Sequence, residues 1–273
     1  MTTEMPSTPD QFQYATGATR ENIERALLAA GHQLDSLSAT VLEPLEDFHI
    51  LGRLATSALS DLAGITAKDR VLDAGSGVGG TARYLAHQIG CRVTAADLTP
   101  EFCATSRWLN GLVGLSDLID VHEANILDLP FADGSFDVVI TQHVQMNIAD
   151  KSGLYAEAWR VLAPGGRLVL WDVAAGPVQP MHFPVPWADR AEFSHLVTPD
   201  GLRKIVEDAG FEVSAWNDPT EGSTELMRAV MAAPPNPLGL HVFVPDLIVK
   251  VNTLLDNFEE DRARLIQALL VKA

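Results

Sequence analysis

Arg70-Val-Leu-Asp-Ala-Gly-Ser-Gly-Val-Gly-Gly-Thr-Ala82 is the stretch on which the reading of the chain turns. Val71 and Leu72 start a short buried strand. Gly75, Gly77, Gly79 and Gly80 follow as a tight turn, and Thr81 to Ala86 reads as the start of a helix. Glycines in such a turn allow φ > 0 and let a ligand approach the backbone without meeting a Cβ. Gly75, Gly77 and Gly80 satisfy G-x-G-x-x-G, a spacing that suits a dinucleotide with its pyrophosphate on the helix N-terminus. The bland alternative is an ordinary tight connection between strand and helix.

Asp73 argues against the dinucleotide. A carboxylate at the strand end, beside the turn, repels a pyrophosphate. It suits a ligand with cationic groups and no phosphate, and S-adenosylmethionine (SAM), with a sulfonium and an ammonium, is such a ligand. Asp97 ends the next apolar run, Cys91-Arg-Val-Thr-Ala-Ala-Asp. A carboxylate there is placed to accept from both ribose hydroxyls, which either cofactor needs.

At 273 residues the chain is long enough for a sizeable core, as one large domain or a domain with a lid. Its 19 basic and 36 acidic residues leave a net charge of −17, a field that repels nucleic acid and anionic membranes. The cysteines, Cys91 and Cys103, lack metal or redox spacing and read as buried thiols. No apolar run reaches spanning length and no basic-then-apolar leader is seen, so a cytoplasmic protein is expected. The oligomeric state stays open, a homodimer being one option.

Residues 1–65 read as a helical cap, with Phe12 and Tyr14 as anchors in a loose arm and Tyr14 as a candidate substrate contact. Thr19 is placed to cap a helix to about Ala30, with Ile23, Ala26, Leu27 and Ala30 on one face. A second helix is expected over 53–63. From Val71, strand-like runs at 70–74, 91–96, 119–123, 136–142 and 166–172 alternate with helical patterns at 79–88, 100–112 and 150–161. This alternation predicts an α/β fold with a doubly wound parallel sheet, whose ligands sit beyond the strand C-termini. A helix over 199–208 and a sixth strand at 211–216 follow. Residues 264–272 are apolar and suit either strand or helix. Residues 173–198 and 217–260 read as lid insertions on a domain spanning 66–273; long loops of this kind tend to be functional.

With these residues in view, the chain resembles a class I SAM-dependent methyltransferase from Val71 to Trp216. Asp73-x-Gly75-x-Gly77-x-Gly79 resembles the first motif of that family, and Asp97, followed by Leu98, its ribose-binding acid. Asn125-Ile-Leu-Asp-Leu-Pro-Phe131 resembles its adenine-binding motif, with Asn125 where Asp is usual and Ile126 beside it. Phe136-Asp-Val-Val-Ile140 resembles the opening of the family's fourth strand, and Arg160-Val-Leu-Ala-Pro-Gly-Gly166 the segment that precedes its fifth. Gln142-His-Val-Gln-Met-Asn-Ile148, Asp47-Phe-His49 and His182-Phe-Pro-Val-Pro-Trp187 are similar to a bacterial branch. That branch holds quinone, sarcosine/dimethylglycine and sugar methyltransferases, actinobacterial sugar O-methyltransferases among them. The resemblance implies a Rossmann-like, seven-stranded, mostly parallel sheet with a helical lid and an antiparallel final strand. It also implies SAM as cofactor and a small-molecule acceptor. Cofactor contacts are expected from Asp73, Gly75, Gly77, Gly79, Asp97, Leu98, Asn125, Ile126 and Gln142.

Methyl transfer to a hydroxyl needs a base, and His is the usual choice at neutral pH. His143, just past strand four, is the first candidate and His49, beside Asp47, the second. His182 and Trp187 are candidates for the substrate wall. Asp172, at the end of strand five, is a candidate substrate acceptor or metal ligand, because sugar methyltransferases of this kind often use Mg²⁺. The hydroxyl reading competes with N-methylation of a small amine, with an NAD-dependent reductase, and with a non-catalytic SAM-binding subunit.

Overall fold

The computed structural model describes residues 16–234 and 236–273, so Phe12 and Tyr14 lie outside the described residues. The strands are β1 Arg70–Ala74, β2 Arg92–Asp97, β3 Ile119–Glu123, β4 Phe136–Gln142, β5 Leu162–Ala175, β6 Phe211–Asn217 and β7 Ala263–Lys272. They form one seven-stranded sheet in the order β3-β2-β1-β4-β5-β7-β6. β1 to β5 run parallel, and β7 is antiparallel to both β5 and β6. The helices are α1 Thr19–Ala29, α2 Ala39–Leu42, α3 Arg53–Ala63, α4 Gly80–Tyr84, α5 Pro100–Leu112, α6 Lys151–Val161, α7 Pro199–Asp208, α8 Thr220–Ala232 and α9 Leu247–Glu259. α4 passes into a π-helical turn over Leu85–Ile89. No helix among the described residues is long and apolar enough to cross a membrane.

Side chains alternate across the sheet, so neighbouring residues feed two cores. Val71, Val138 and Val169 pack with Ala55 and Leu59 of α3 and Leu254 of α9. Leu72, Val139 and Leu170 pack on the other face with Leu154 of α6 and Leu202 and Val206 of α7. Burial on both faces explains the nearly continuous apolar runs of the central strands. Residues 264–272 are a strand because β7 is wedged between β5 and β6, which supply ladder partners along it.

Two expectations are corrected by local geometry. β5 starts at Leu162 rather than 166 and runs on to Ala175. Leu162 pairs with Phe136 and Arg167 with Val138, so Ala163-Pro-Gly-Gly166 is an irregularity inside the ladder. Its Pro and Gly hide the strand from a propensity reading. Thr19 does not cap α1 through its side chain, and Ala30 is exposed. The Glu101 carboxylate on α5 instead accepts from the amides of Gly17 at 2.9 Å and Thr19 at 2.7 Å. Ile23 and Leu27 of α1 join Leu109 of α5 in a third cluster, tying α1 to the helix that follows β2.

The strand order reverses between β1 and β4. The crevice beyond their C-terminal ends is therefore where this topology places a ligand.

Candidate active site

The turn after β1 has φ of +82° at Gly75, +53° at Gly77 and +87° at Gly79. The Gly75 and Ser76 amides donate to the Ala96 carbonyl at 2.8 and 3.0 Å. Asp97 accepts from Gly77 N and Thr99 N, each at 2.8 Å. That carboxylate thus ties the turn to the end of β2 as well as facing the cavity. The cavity has a volume of about 210 Å³ and is lined by Asp73, Gly75, Gly77, Asp97, Leu98, Asn125, Ile126 and Gln142 among others. Gly79 is not in its lining. A Cβ on Gly79 would meet Ser106 and Arg83, so that glycine serves helix packing rather than ligand contact.

The segment around Asp47-Phe-His49 reaches the cofactor cavity, where the sequence reading gave it no cofactor contact and did not include Glu46. Glu46, Asp47 and Phe48 line the cavity, which gives it four carboxylates and no Lys or Arg among its described lining residues. Glu46 is neutralised from behind by Arg83 at 2.5 Å and Arg53 at 3.0 Å. Neither Asp47 oxygen has a hydrogen-bond partner, and its nearest cation is Arg53 at 3.6 Å. Burial pushes the Asp47 carboxyl up to about 6. Oδ2 of Asp73 is likewise buried without a partner. Burial, then the Asp97 and Asp47 charges, push the Asp73 carboxyl up to about 8. Unsatisfied buried carboxylates facing a cavity fit a ligand that brings positive charge, as SAM does. They do not fit the pyrophosphate of a dinucleotide, which removes the sequence argument for NAD.

Gln142 lines the cavity, but its amide mostly braces the walls. Oε1 accepts from Thr81 Oγ1 at 2.8 Å, and Nε2 lies 2.9 Å from Nε2 of His49. His49 Nε2 also lies 3.0 Å from the Gly52 carbonyl and 3.1 Å from Thr56 Oγ1. Burial pulls the His49 imidazole down to about 4.

His143 stands directly after β4, at φ +53°. Its backbone amide donates to the Trp171 carbonyl at 2.8 Å. The following amides, Val144 and Gln145, donate to Asp172 Oδ2 at 3.0 and 3.1 Å, and Val173 N donates to Oδ1 at 2.9 Å. Lys151 Nζ closes the same loop from below, on the carbonyls of Gln145 at 2.9 Å and Ile148 at 2.7 Å. The His143 ring is 6.1 Å from that of His49. Its Nε2 is buried without a partner, and burial, then His49, hold the imidazole well below its usual range.

A second cavity of about 330 Å³ lies between the 43–54 segment and the α8–α9 pair. It shares Asp47, Phe48, His49, His143 and Pro186 with the first, so the two meet at the histidines.

Asp172 is corrected: it is absent from the lining of both cavities, and its carboxylate is occupied by three backbone amides. Among the described residues no group of three or more His, Cys, Asp or Glu side chains is placed to hold a metal. His182 is corrected too. It is half exposed, pairs with Glu260 at 3.0 Å and is not in the lining of either cavity. Trp187 lines the cofactor cavity, with its indole N–H on Ser194 Oγ at 2.9 Å. Asn125 also lines it, and its side-chain oxygen accepts from Leu127 N at 3.0 Å in a local turn.

Comparison with known proteins agrees with this geometry. A methyltransferase domain model matches residues 72–170. The sarcosine/dimethylglycine N-methyltransferase of Halorhodospira halochloris is 35% identical over 179 residues, 65% of this chain but only 63% of that enzyme. The dimethylglycine N-methyltransferase of Parasynechococcus marenigrum is 32% identical over 193 residues, 64% of this chain and 68% of the relative. The geranyl diphosphate C-methyltransferase of Streptomyces coelicolor A3(2) shares the fold, with a TM-score of 0.71 at 19% identity over 99% of this chain and 100% of the other. With the sheet order, the glycine turn, its paired acids and these relatives in agreement, the chain belongs to the class I SAM-dependent methyltransferases.

Proposed function

We propose that this chain transfers the methyl group of SAM to a hydroxyl of a small molecule, with His143 taking the hydroxyl proton. The observation that carries the reading is the His143 Nε2, buried and unpartnered where the two cavities meet. The cofactor, when bound, supplies an electrophilic methyl on a positively charged sulfur. Asp73 and Asp47 supply charge for its cationic groups, and Asp97 accepts from its ribose. Phe48, Met146 and Trp187 wall the cavity and exclude water from the transfer. Bound SAM would supply the methyl and a neutral sulfide leaving group, and His143 would take the proton that the attacking hydroxyl gives up. The depressed basicity keeps the imidazole neutral and ready at neutral pH. The rising limb of rate against pH is therefore expected below 6.5, the ordinary imidazole value.

The similarity to dimethylglycine N-methyltransferases supports a second reading, in which the acceptor is a small amine. A neutral amine attacks without a base, so His143 would then matter little to the rate. One variant separates the two. His143→Asn keeps a residue type that tolerates the left-handed backbone. On a hydroxyl acceptor it should lower kcat by about 10²–10⁴-fold and abolish the acid limb, while SAH affinity stays within a few-fold. Near-wild-type kcat would sink the base role and favour the amine.

A further inference from the structure

The second cavity has a chemistry of its own. Met227, Val230 and Met231 of α8 face Ile248, Val251 and Leu254 of α9 across it. Its volume of about 330 Å³ falls within the range of small-molecule pockets, about 300–1,000 Å³. Seven large apolar side chains are exposed among the described residues, and Leu54, Leu226, Val230 and Ile248 border this cavity. They are 63, 41, 56 and 59% exposed, a concentration that marks a binding surface rather than scattered surface residues.

Its polar content points the same way. Its described lining includes two carboxylates, Glu43 and Asp47, and one cation, Arg53, whose guanidinium is held by Glu46 at 3.0 Å and Asp47 at 3.6 Å. No uncommitted positive side chain in the lining is left to hold a carboxylate or a phosphate. A glycine derivative needs such a partner and would bury little of this wall. An uncharged, extended apolar molecule needs none and would cover it.

We propose that the acceptor is a lipophilic, uncharged molecule whose apolar body lies along the α8–α9 groove and whose single nucleophilic group reaches His143. This rests on the methyl-transfer reading above and names its substrate class. Continuity of the groove with the cofactor cavity through His49 and His143 is what commits the groove to the acceptor.

The test uses full-length protein saturated with S-adenosylhomocysteine (SAH) and titrated calorimetrically with 4-alkylphenols from methyl to hexyl. Affinity should rise about fourfold per added methylene until the groove is filled. Val230→Asp and Ile248→Asp, at exposed positions that the fold tolerates, should each weaken hexylphenol about tenfold while methylphenol and SAH change little. Binding that ignores chain length, with sarcosine or dimethylglycine bound more tightly than any phenol, would overturn the acceptor class and leave methyl transfer standing. An unaltered slope in both variants would overturn the groove as its site. A dimer that dissociates in both variants, with no chain-length dependence in the wild type, would make the groove a self-association face and overturn the proposal. Failure of SAH to bind at all would overturn the methyl-transfer reading, and this inference with it.

Discussion

The two cavities that meet at His143 are built in opposite ways. The cofactor cavity is carried by the C-terminal ends of three strands adjacent in the sheet, β2, β1 and β4, at Asp97, Asp73 and Gln142, and it is rich in carboxylates. The second cavity is walled by the 43–54 segment and by α8 and α9, and its wall from α8 and α9 is apolar and carries no motif. One is fixed by backbone hydrogen bonds at the centre of the sheet. The other is shaped by side chains on elements packed over its edge. The difference teaches that, on the reading proposed above, binding a shared cofactor and choosing an acceptor fall to separate parts of the chain.

The largest expected effect tests the pin between the two. Asp172→Ala leaves three buried amides without an acceptor, and urea unfolding should show a loss of about 3 kcal/mol. Asp172→Asn should recover part of it. Full stability with lost activity would mean that Asp172 meets the substrate, and the division between the cavities would fail.

A smaller effect is expected at Asp73. Asp73→Asn should weaken SAH by about 100-fold, since a charge-assisted contact becomes a neutral one. In the wild type, SAH affinity should rise between pH 6 and about 8 as the carboxyl ionises, and the variant should be flat. The ligand-free protein should show the reverse trend in stability. A carboxyl raised from 3.8 to about 8 contributes stability that is full below 3.8 and lost as pH rises through about 8. Thermal melts from pH 6 to 9 should therefore fall more steeply for wild type than for Asp73→Asn. Equal slopes would place the affinity change elsewhere.

The smallest effects sharpen the glycine turn. Gly77→Ala puts a Cβ 3.6 Å from the Phe48 ring, an ordinary contact, at φ +53°. It should cost about 1 kcal/mol of stability and a few-fold in SAH affinity. Gly79→Ala, whose Cβ would stand 2.9 Å from Arg83 Nη1, should destabilise the protein without further loss of SAH affinity. The opposite ranking in affinity would return Gly79 to the cofactor side.

The sheet was legible because its signals are local. Each parallel strand is a short apolar run, and each ligand-facing turn follows directly on it. The glycine turn, Asp97 and His143 lie on such turns. What escaped the sequence depends on long-range packing. Nothing near Glu46 or Asp47 says that Arg83 and the glycine turn sit against them. Asp172 looks like a free acid at a strand end until the amides of Val144 and Gln145 fold over it. His182 shares a Pro-rich run with Trp187, yet one side chain pairs with Glu260 at the surface and the other lines the cavity. Ala163-Pro-Gly-Gly166 reads as a loop because its pairing is decided by β4.

The α8–α9 pair enters the chain between two strands that are neighbours in the sheet. Asn217 at the end of β6 pairs with Gln267 of β7, and Leu265 N donates to Thr220 Oγ1 at 2.8 Å. Departure and return of the insertion are therefore stitched side by side, and Arg228 links its two helices through Asp256 and Glu259. A segment of this kind is a cassette: its replacement changes no crossing of the sheet and lengthens no strand connection elsewhere. Descent with exchange of that cassette would leave cofactor chemistry intact while acceptor range drifts. Relatives that keep the Asp73 and Asp97 turns can then differ freely in what they methylate.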